Sequence, residues 1–318
     1  MGEITKIQWC DATFNPWRGC TKVSAGCANC YAETLSKRNP GVLGVWGPNG
    51  TRVVASEAKW REPLKWDREA KTAGVRRRVF CASLADVFED VGEKHVHDSA
   101  GNVLWEQRGR VVSAGQTKVN LAWGERPATL DDVRGQLWDL IDETQNLDWL
   151  LLTKRPENME AMLPWTSAHA GMYRDRYWPN VWIGTSVENR AAKRRVDFLR
   201  DIPAAVRFLS VEPLLEGLGE LDLTGINWVI FGGESGPAAR PCDLAWIRDG
   251  VRQCRDAGVA AFVKQLGATP YDSVRRISID GPGSHVVAMD FRDRKGGDPS
   301  EWPEDLRVRE MPTTTVCV

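Results

Sequence analysis

The sequence predicts an α/β protein of the partial or full TIM-type (β/α) barrel class, with insertions, on two observations. Short apolar runs alternate with segments of helical period between residues 78 and 265, the pattern of parallel βαβ construction. Each apolar run also releases polar residues at its C-terminal end: Asp86; Lys154 and Arg155; Ser186 and Glu188; Ser210 and Glu212; Gly232, Gly233, Glu234 and Ser235; Lys264 and Gln265. In a barrel those ends share one mouth, where barrel enzymes keep their active sites. A doubly wound open sheet is the alternative arrangement of the same units.

In chain order, residues 4–9 read as a short first strand that delivers the chain into a cysteine-bearing loop. Tyr31 to Arg38 reads as a helix stopped by Asn39-Pro40-Gly41, and 57–72 as a helix with Trp60, Leu64 and Trp66 as packing residues. Arg78–Ser83 is strand-like. Thr129–Asn146 has apolar residues at 130, 133, 137, 140 and 141, with Thr129 as a cap and Asp131 and Asp132 in the first turn, which favours a helix. Strands at 147–153, 181–186, 206–210, 228–233 and 260–264 then alternate with helices at 156–163, 189–200 and 243–257.

Two stretches break the alternation. Residues 91–127, with His95 and His97, read as an inserted hairpin or small subdomain, and 165–179, with Trp165, Tyr173, Tyr177 and Trp178, as an aromatic loop. The organisation expected is a barrel-like domain over 1–267 carrying the cysteine loop and the insertion at 91–127, then a C-terminal extension over 268–318. Within that extension a strand pair is expected around 274–290 and a poorly ordered stretch over the last twenty residues.

The cysteine loop carries the chemistry. Cys20, Cys27 and Cys30 lie within eleven residues, and thiolates so spaced can converge on one metal centre. A closed zinc site wants four protein ligands, whereas a cubane iron–sulfur cluster held by three cysteines keeps one iron open. Zinc, an iron–sulfur cluster and ordinary buried thiols all remain open on spacing alone. Cys10, Cys81, Cys242, Cys254 and His285 are the candidates for a fourth ligand.

Lys plus Arg total 42 against 43 acids, a net charge of −1, which argues against a generally basic nucleic-acid coat and leaves room for a local groove. The basic runs 76–78, 193–195 and 275–276 are candidates for phosphate contacts and equally for solvated faces. No stretch is long and apolar enough for a signal core or a bilayer span, so the expectation is a cytoplasmic protein without membrane contact. Eight cysteines in 318 residues fit reduced thiols and metal ligands better than a secreted disulfide framework. Most of the 15 tryptophans are expected in the core or under loops, with a few left as candidates to stack on a flat substrate such as a base.

Cys27-Ala-Asn-Cys-Tyr-Ala-Glu33, Leu152-Thr-Lys-Arg-Pro156, Ser186-Val-Glu-Asn189, Ser210-Val-Glu-Pro213, Gly232-Gly-Glu-Ser-Gly236 and Lys264-Gln-Leu-Gly267 together resemble a phage-associated three-cysteine-motif family of uncharacterised proteins. The resemblance spans residues 4–267 and extends, more distantly, to the radical S-adenosylmethionine enzymes. The usual loop of that superfamily is CxxxCxxC, whereas the first interval here holds six residues.

The resemblance implies that Cys20, Cys27 and Cys30 ligate a 4Fe–4S cluster whose fourth iron takes S-adenosylmethionine. It also implies an external reductant such as a flavodoxin or ferredoxin, while the phage association together with the aromatic loops and local basic runs points to a DNA, RNA or nucleotide substrate to be modified or repaired. Asp86, Ser186, Gly232, Gly233 and Glu234 are then the candidate cofactor-binding residues, and Lys154, Glu188 and Glu212 the candidate catalytic ones. Lys154-Arg155, Glu188 and Glu212 also have a plain reading as a structural salt-bridge ring. Two rival functions remain at this stage: a zinc-stabilised nucleic-acid-binding protein, and an iron–sulfur redox sensor without catalysis.

Overall fold

The computed structural model describes residues 5, 7–113, 125–166, 177–277 and 285–313. Seven strands form a parallel half-barrel sheet: β1 (Ala12–Phe14), β2 (Arg77–Cys81), β3 (Leu147–Thr153), β4 (Val181–Ser186), β5 (Val206–Val211), β6 (Trp228–Gly232) and β7 (Ala260–Gln265). Their order in the sheet is their order in the chain. Each crossover therefore sets the next strand beside the last, the result expected of short successive βα units. Every residue of β4 and β6 is buried, which is why these strands read as unbroken apolar runs and not as alternating ones.

The longer helices are α1 (Tyr31–Arg38), α2 (Glu62–Ala73), α3 (Leu130–Glu143), α4 (Arg195–Asp201) and α5 (Leu244–Ala257). In α3 the expected cap is a full capping box: the Thr129 hydroxyl takes the Asp132 N–H, and the Asp132 carboxylate takes the Thr129 N–H at 2.8 Å. Its apolar positions are all buried. Asp243 caps α5 through the Ala245 N–H at 3.0 Å. Gly258 ends that helix in the left-handed region, φ 66°.

Packing divides the chain into two units. The first holds residues 1–23 and 30–182, the second 24–29 and 183–318. In the first, Trp17, Trp66, Trp149 and Phe88 are fully buried, and Phe14 meets Trp60 and Trp149 edge-on at 5.3 and 5.8 Å. In the second, Trp228 packs between Phe208 and Phe262, both centroids at 5.9 Å. The expectation that tryptophan is mostly core is met at these positions.

The first strand lies later than the sequence suggested. Residues 7–10 turn, the Cys10 N–H reaching the Ile7 carbonyl at 3.4 Å, and pairing begins at Ala12 against Val79. Asp11 sets that register by accepting from the Arg78 backbone N–H at 2.8 Å and from its guanidinium. The inserted stretch is a hairpin, Leu104–Gln107 against Arg110–Ser113, with Arg126–Pro127 on its other side. Tyr173 of the aromatic loop lies outside the described residues, while Trp165 and Trp178 pack at 5.3 Å.

The expected strand pair appears as Pro270–Ile277 antiparallel to His285–Ala288. The expectation of a poorly ordered end fails over 299–313. Trp302 and Leu306 are buried, and Arg309 stacks over Trp302 and Phe262 at 5.2 and 5.5 Å. Two apolar anchors fix this otherwise polar stretch. Among the described residues no helix is long and apolar enough to cross a membrane.

Candidate metal centre and its supports

Of the described cysteines, Cys20, Cys27 and Cys30 are partly exposed, whereas Cys10, Cys81, Cys242 and Cys254 are buried. The loop thiols alone are therefore open to an incoming metal, and the buried ones behave as small apolar groups. Ala25–Cys27 forms one 3₁₀ turn, and Cys30 immediately precedes α1. Among the described residues no three His, Cys, Asp or Glu side chains are gathered to hold a metal ion, His95 and His97 included. The fit of the loop to a metal centre rests on its donor chemistry: three soft ligands on one short glycine-bearing segment.

In the first unit the start of the loop is fixed by a buried ionic network. Arg155 pairs with Asp86 at 2.8 Å and Glu89 at 3.3 Å, and donates to the Thr21 carbonyl at 2.6 Å and Cys20 Sγ at 3.7 Å. Glu89 also takes two bonds from Arg52, at 2.7 and 2.9 Å, and the Thr21 N–H at 2.8 Å. Asp86 takes the Thr153 hydroxyl at 2.6 Å and the Lys154 N–H at 3.3 Å. With this many donors, Asp86 is committed to holding the chain. Burial first, then the Asp86 and Glu89 charges, push the Cys20 thiol up to about 12, with Arg155 opposing them. A metal taken up at neutral pH must therefore displace a proton from Cys20.

In the second unit the middle of the loop, residues 24–29, hangs on two more carboxylates. Glu188 is fully buried, pairs with Arg195 at 2.7 Å, and accepts from the Ser24 hydroxyl and, at 3.3 Å, from the Gly26 N–H. A Cβ on Gly26 would lie 3.0 Å from the Glu188 carboxylate, so glycine allows this close approach. Glu234 accepts from Arg240 at 2.8 and 2.6 Å and from Asn29 at 3.0 Å, while Arg240 also donates to the Ala25 carbonyl at 2.9 Å. Burial would raise the Glu234 carboxyl, but the Arg240 and Asn29 hydrogen bonds outweigh it and hold it below the usual carboxylate range.

Glu212 differs from these. It is partly exposed and pairs with Lys264 at 2.6 Å. Gly232 lies beneath it, where a Cβ would come within 3.2 Å of its carboxylate, and Gly233 lets the backbone approach the Leu266 carbonyl. Ser186 is buried, its carbonyl taken by Arg195 at 2.9 Å.

The salt-bridge ring expected from Lys154-Arg155, Glu188 and Glu212 is thus corrected: Arg155 serves Asp86 and Glu89, Glu188 serves Arg195, and Glu212 serves Lys264. Glu89, Arg52, Arg240 and Asn29 escaped the sequence reading, because the contacts that place them span 37 to 215 positions, and Arg195 reads in the sequence only as part of a basic run. Two of the basic runs are also largely engaged. Arg76, Arg77 and Arg78 pair with Asp148, Glu69 and Asp11, and Lys193 bonds the Leu218 carbonyl.

A family model described as a protein of unknown function, DUF5131, matches residues 4–110 and 126–292. The chain belongs to the DUF5131 family. Comparison with curated proteins and with solved structures found no match. The DUF5131 match contains the cysteine loop and all seven sheet strands, and omits residues 111–125 of the inserted hairpin region.

Proposed function

We propose that this DUF5131 protein is a radical S-adenosylmethionine enzyme whose 4Fe–4S cluster is held by Cys20, Cys27 and Cys30. The observation that carries the reading is the position and exposure of the loop. It follows the first strand of a parallel half-barrel sheet, and its thiols are the accessible ones among the described cysteines. The committed carboxylates support it, since Glu188 and Glu234 spend their hydrogen bonds on residues 24–29 of the loop. Held there by Cys20, Cys27 and Cys30 and reduced by one electron from an external carrier, a cluster would supply the reductive cleavage of S-adenosylmethionine to methionine and a 5′-deoxyadenosyl group able to take a hydrogen atom from the substrate.

The residues divide accordingly. Asp86, Glu89 and Arg155 position the Cys20 end, and Glu188, Arg195, Glu234 and Arg240 position the middle of the loop. Glu212 and Lys264 are left to meet substrate or cofactor: one accepts and one donates, and both are partly open to solvent. The proposed substrate class is a nucleic acid or nucleotide. Arg194 supports it as an exposed cation outside the ion pairs found among the described residues.

The test is iron, sulfide and zinc content after anaerobic reconstitution, followed by dithionite and S-adenosylmethionine with assay of 5′-deoxyadenosine. About four irons per chain with deoxyadenosine release is the expected result. Replacing Cys20, Cys27 or Cys30 singly by Ala removes the iron, whereas Cys242→Ala keeps it. One tight zinc and no cofactor cleavage overturns the reading in favour of a zinc-stabilised nucleic-acid-binding protein.

A further inference from the structure

Nine large apolar side chains are prominently exposed among the described residues, and five of them fall between positions 23 and 45: Val23, Tyr31, Leu35, Val42 and Val45. All five belong to the first unit. Tyr31 and Leu35 are one helical turn apart on α1, so they share a face. The Tyr31 ring is 57% exposed although its hydroxyl donates to the Ser83 carbonyl at 2.6 Å. Val42 lies in the short helix Pro40–Leu43 packed next to α1, and Val45 just beyond it. Exposed apolar side chains scattered singly need no explanation, but a cluster of this kind marks an interaction site.

The charges of the same stretch are one-sided. Lys22, Lys37 and Arg38 stand against Glu33 as the only acid between residues 22 and 46. That acid is shared by Lys22 at 2.6 Å and Lys37 at 3.2 Å, and Arg38 is exposed and outside the ion pairs found among the described residues. Exposed apolar side chains and an excess of cations on one stretch complement an acidic protein that carries apolar contacts of its own. Tyr31 directly follows Cys30, so a partner seated here is next to the cysteine loop.

We propose that the exposed face of α1, with Val23, Val42 and Val45, is the docking site for a small acidic one-electron carrier protein. The inference rests on the cluster reading above and names the partner of that site. Five apolar side chains against three cations favour a protein over a nucleic acid, whose contacts would be dominated by charge.

The experiment titrates reconstituted full-length protein with reduced flavodoxin as the probe, comparing the natural chain with the triple variant Leu35→Glu, Lys37→Glu, Arg38→Glu, whose positions are all exposed. The expected result is salt-sensitive binding weakened at least about tenfold in the variant, with slower flavodoxin-driven deoxyadenosine formation and an unchanged dithionite-driven rate. Equal binding by the two proteins, or no binding by the natural chain, overturns the docking site while dithionite-driven turnover stands. So does a variant that loses only DNA or RNA binding. Absence of deoxyadenosine with dithionite in the natural chain overturns the cluster reading itself, and the carrier assignment with it.

Discussion

The two carboxylates that approach the loop from inside each unit differ from Glu212 in one respect. Glu89 and Glu188 are almost without exposure and each takes three or more donors, including an arginine. Glu212 is partly exposed and, among the described residues, pairs with Lys264. Glu188 and Glu212 both follow strand ends closely, so that position does not by itself assign a role. What separates an anchoring carboxylate from one available to a ligand is how many of its lone pairs are already occupied.

This contrast can be broken at several points. Glu89→Ala leaves Arg52 and Arg155 buried without their shared partner. The expected loss is about 3–5 kcal/mol of unfolding free energy, read by urea denaturation. Glu188→Ala strands Arg195 in the same way, and hydrogen exchange should show faster exchange at the Gly26 amide. Glu234→Gln keeps the shape but removes the charge opposite Arg240, for a loss of about 1–3 kcal/mol.

Glu212→Gln is expected to change stability by less than about 1 kcal/mol, because its pair is partly solvated. It should keep full iron content yet lower deoxyadenosine-coupled turnover by about tenfold or more. Unchanged turnover would remove Glu212 from the reaction.

The smallest effect concerns acid. The Glu234 carboxyl is held below its ordinary value in the folded chain, so its stabilising contribution is present above the unfolded carboxylate value. It fades as pH falls through the ordinary range toward the lowered folded one. Exchange protection of residues 24–29 should weaken over that acid window, and Glu234→Gln should abolish this dependence.

The alternation of the last six strands was legible because parallel strands buried on both faces are written as short apolar runs, as at Val181–Ser186 and Trp228–Gly232. Strand β1 was not, since its three residues, Ala-Thr-Phe, carry little pattern and take their register from Asp11 and Arg78. A half-barrel and a full barrel share one local pattern, so the extent of closure lay outside local sequence. At the candidate site the spacing singles out Cys20, Cys27 and Cys30, which are also the partly exposed thiols among the described cysteines. The partners of Asp86, Glu188 and Glu234 were not legible, because ion pairs such as Arg155 with Glu89 leave no periodic trace. Trp302 and Leu306 show the same limit: two apolar residues in a polar tail fix a segment that composition describes as loose.

The packed tail has a consequence for solubility. Strand β7 is the last in the sheet, and an open parallel edge offers its backbone to any passing strand. Here Val263 donates to the Val308 carbonyl and Glu310 to the Ala261 carbonyl, each at 2.8 Å, so residues 308–310 lie along that edge as a fitted strip. A chain cut after residue 298 would keep the seven strands but bare their outer rim, and self-association through β7 is the failure to expect from such a truncation.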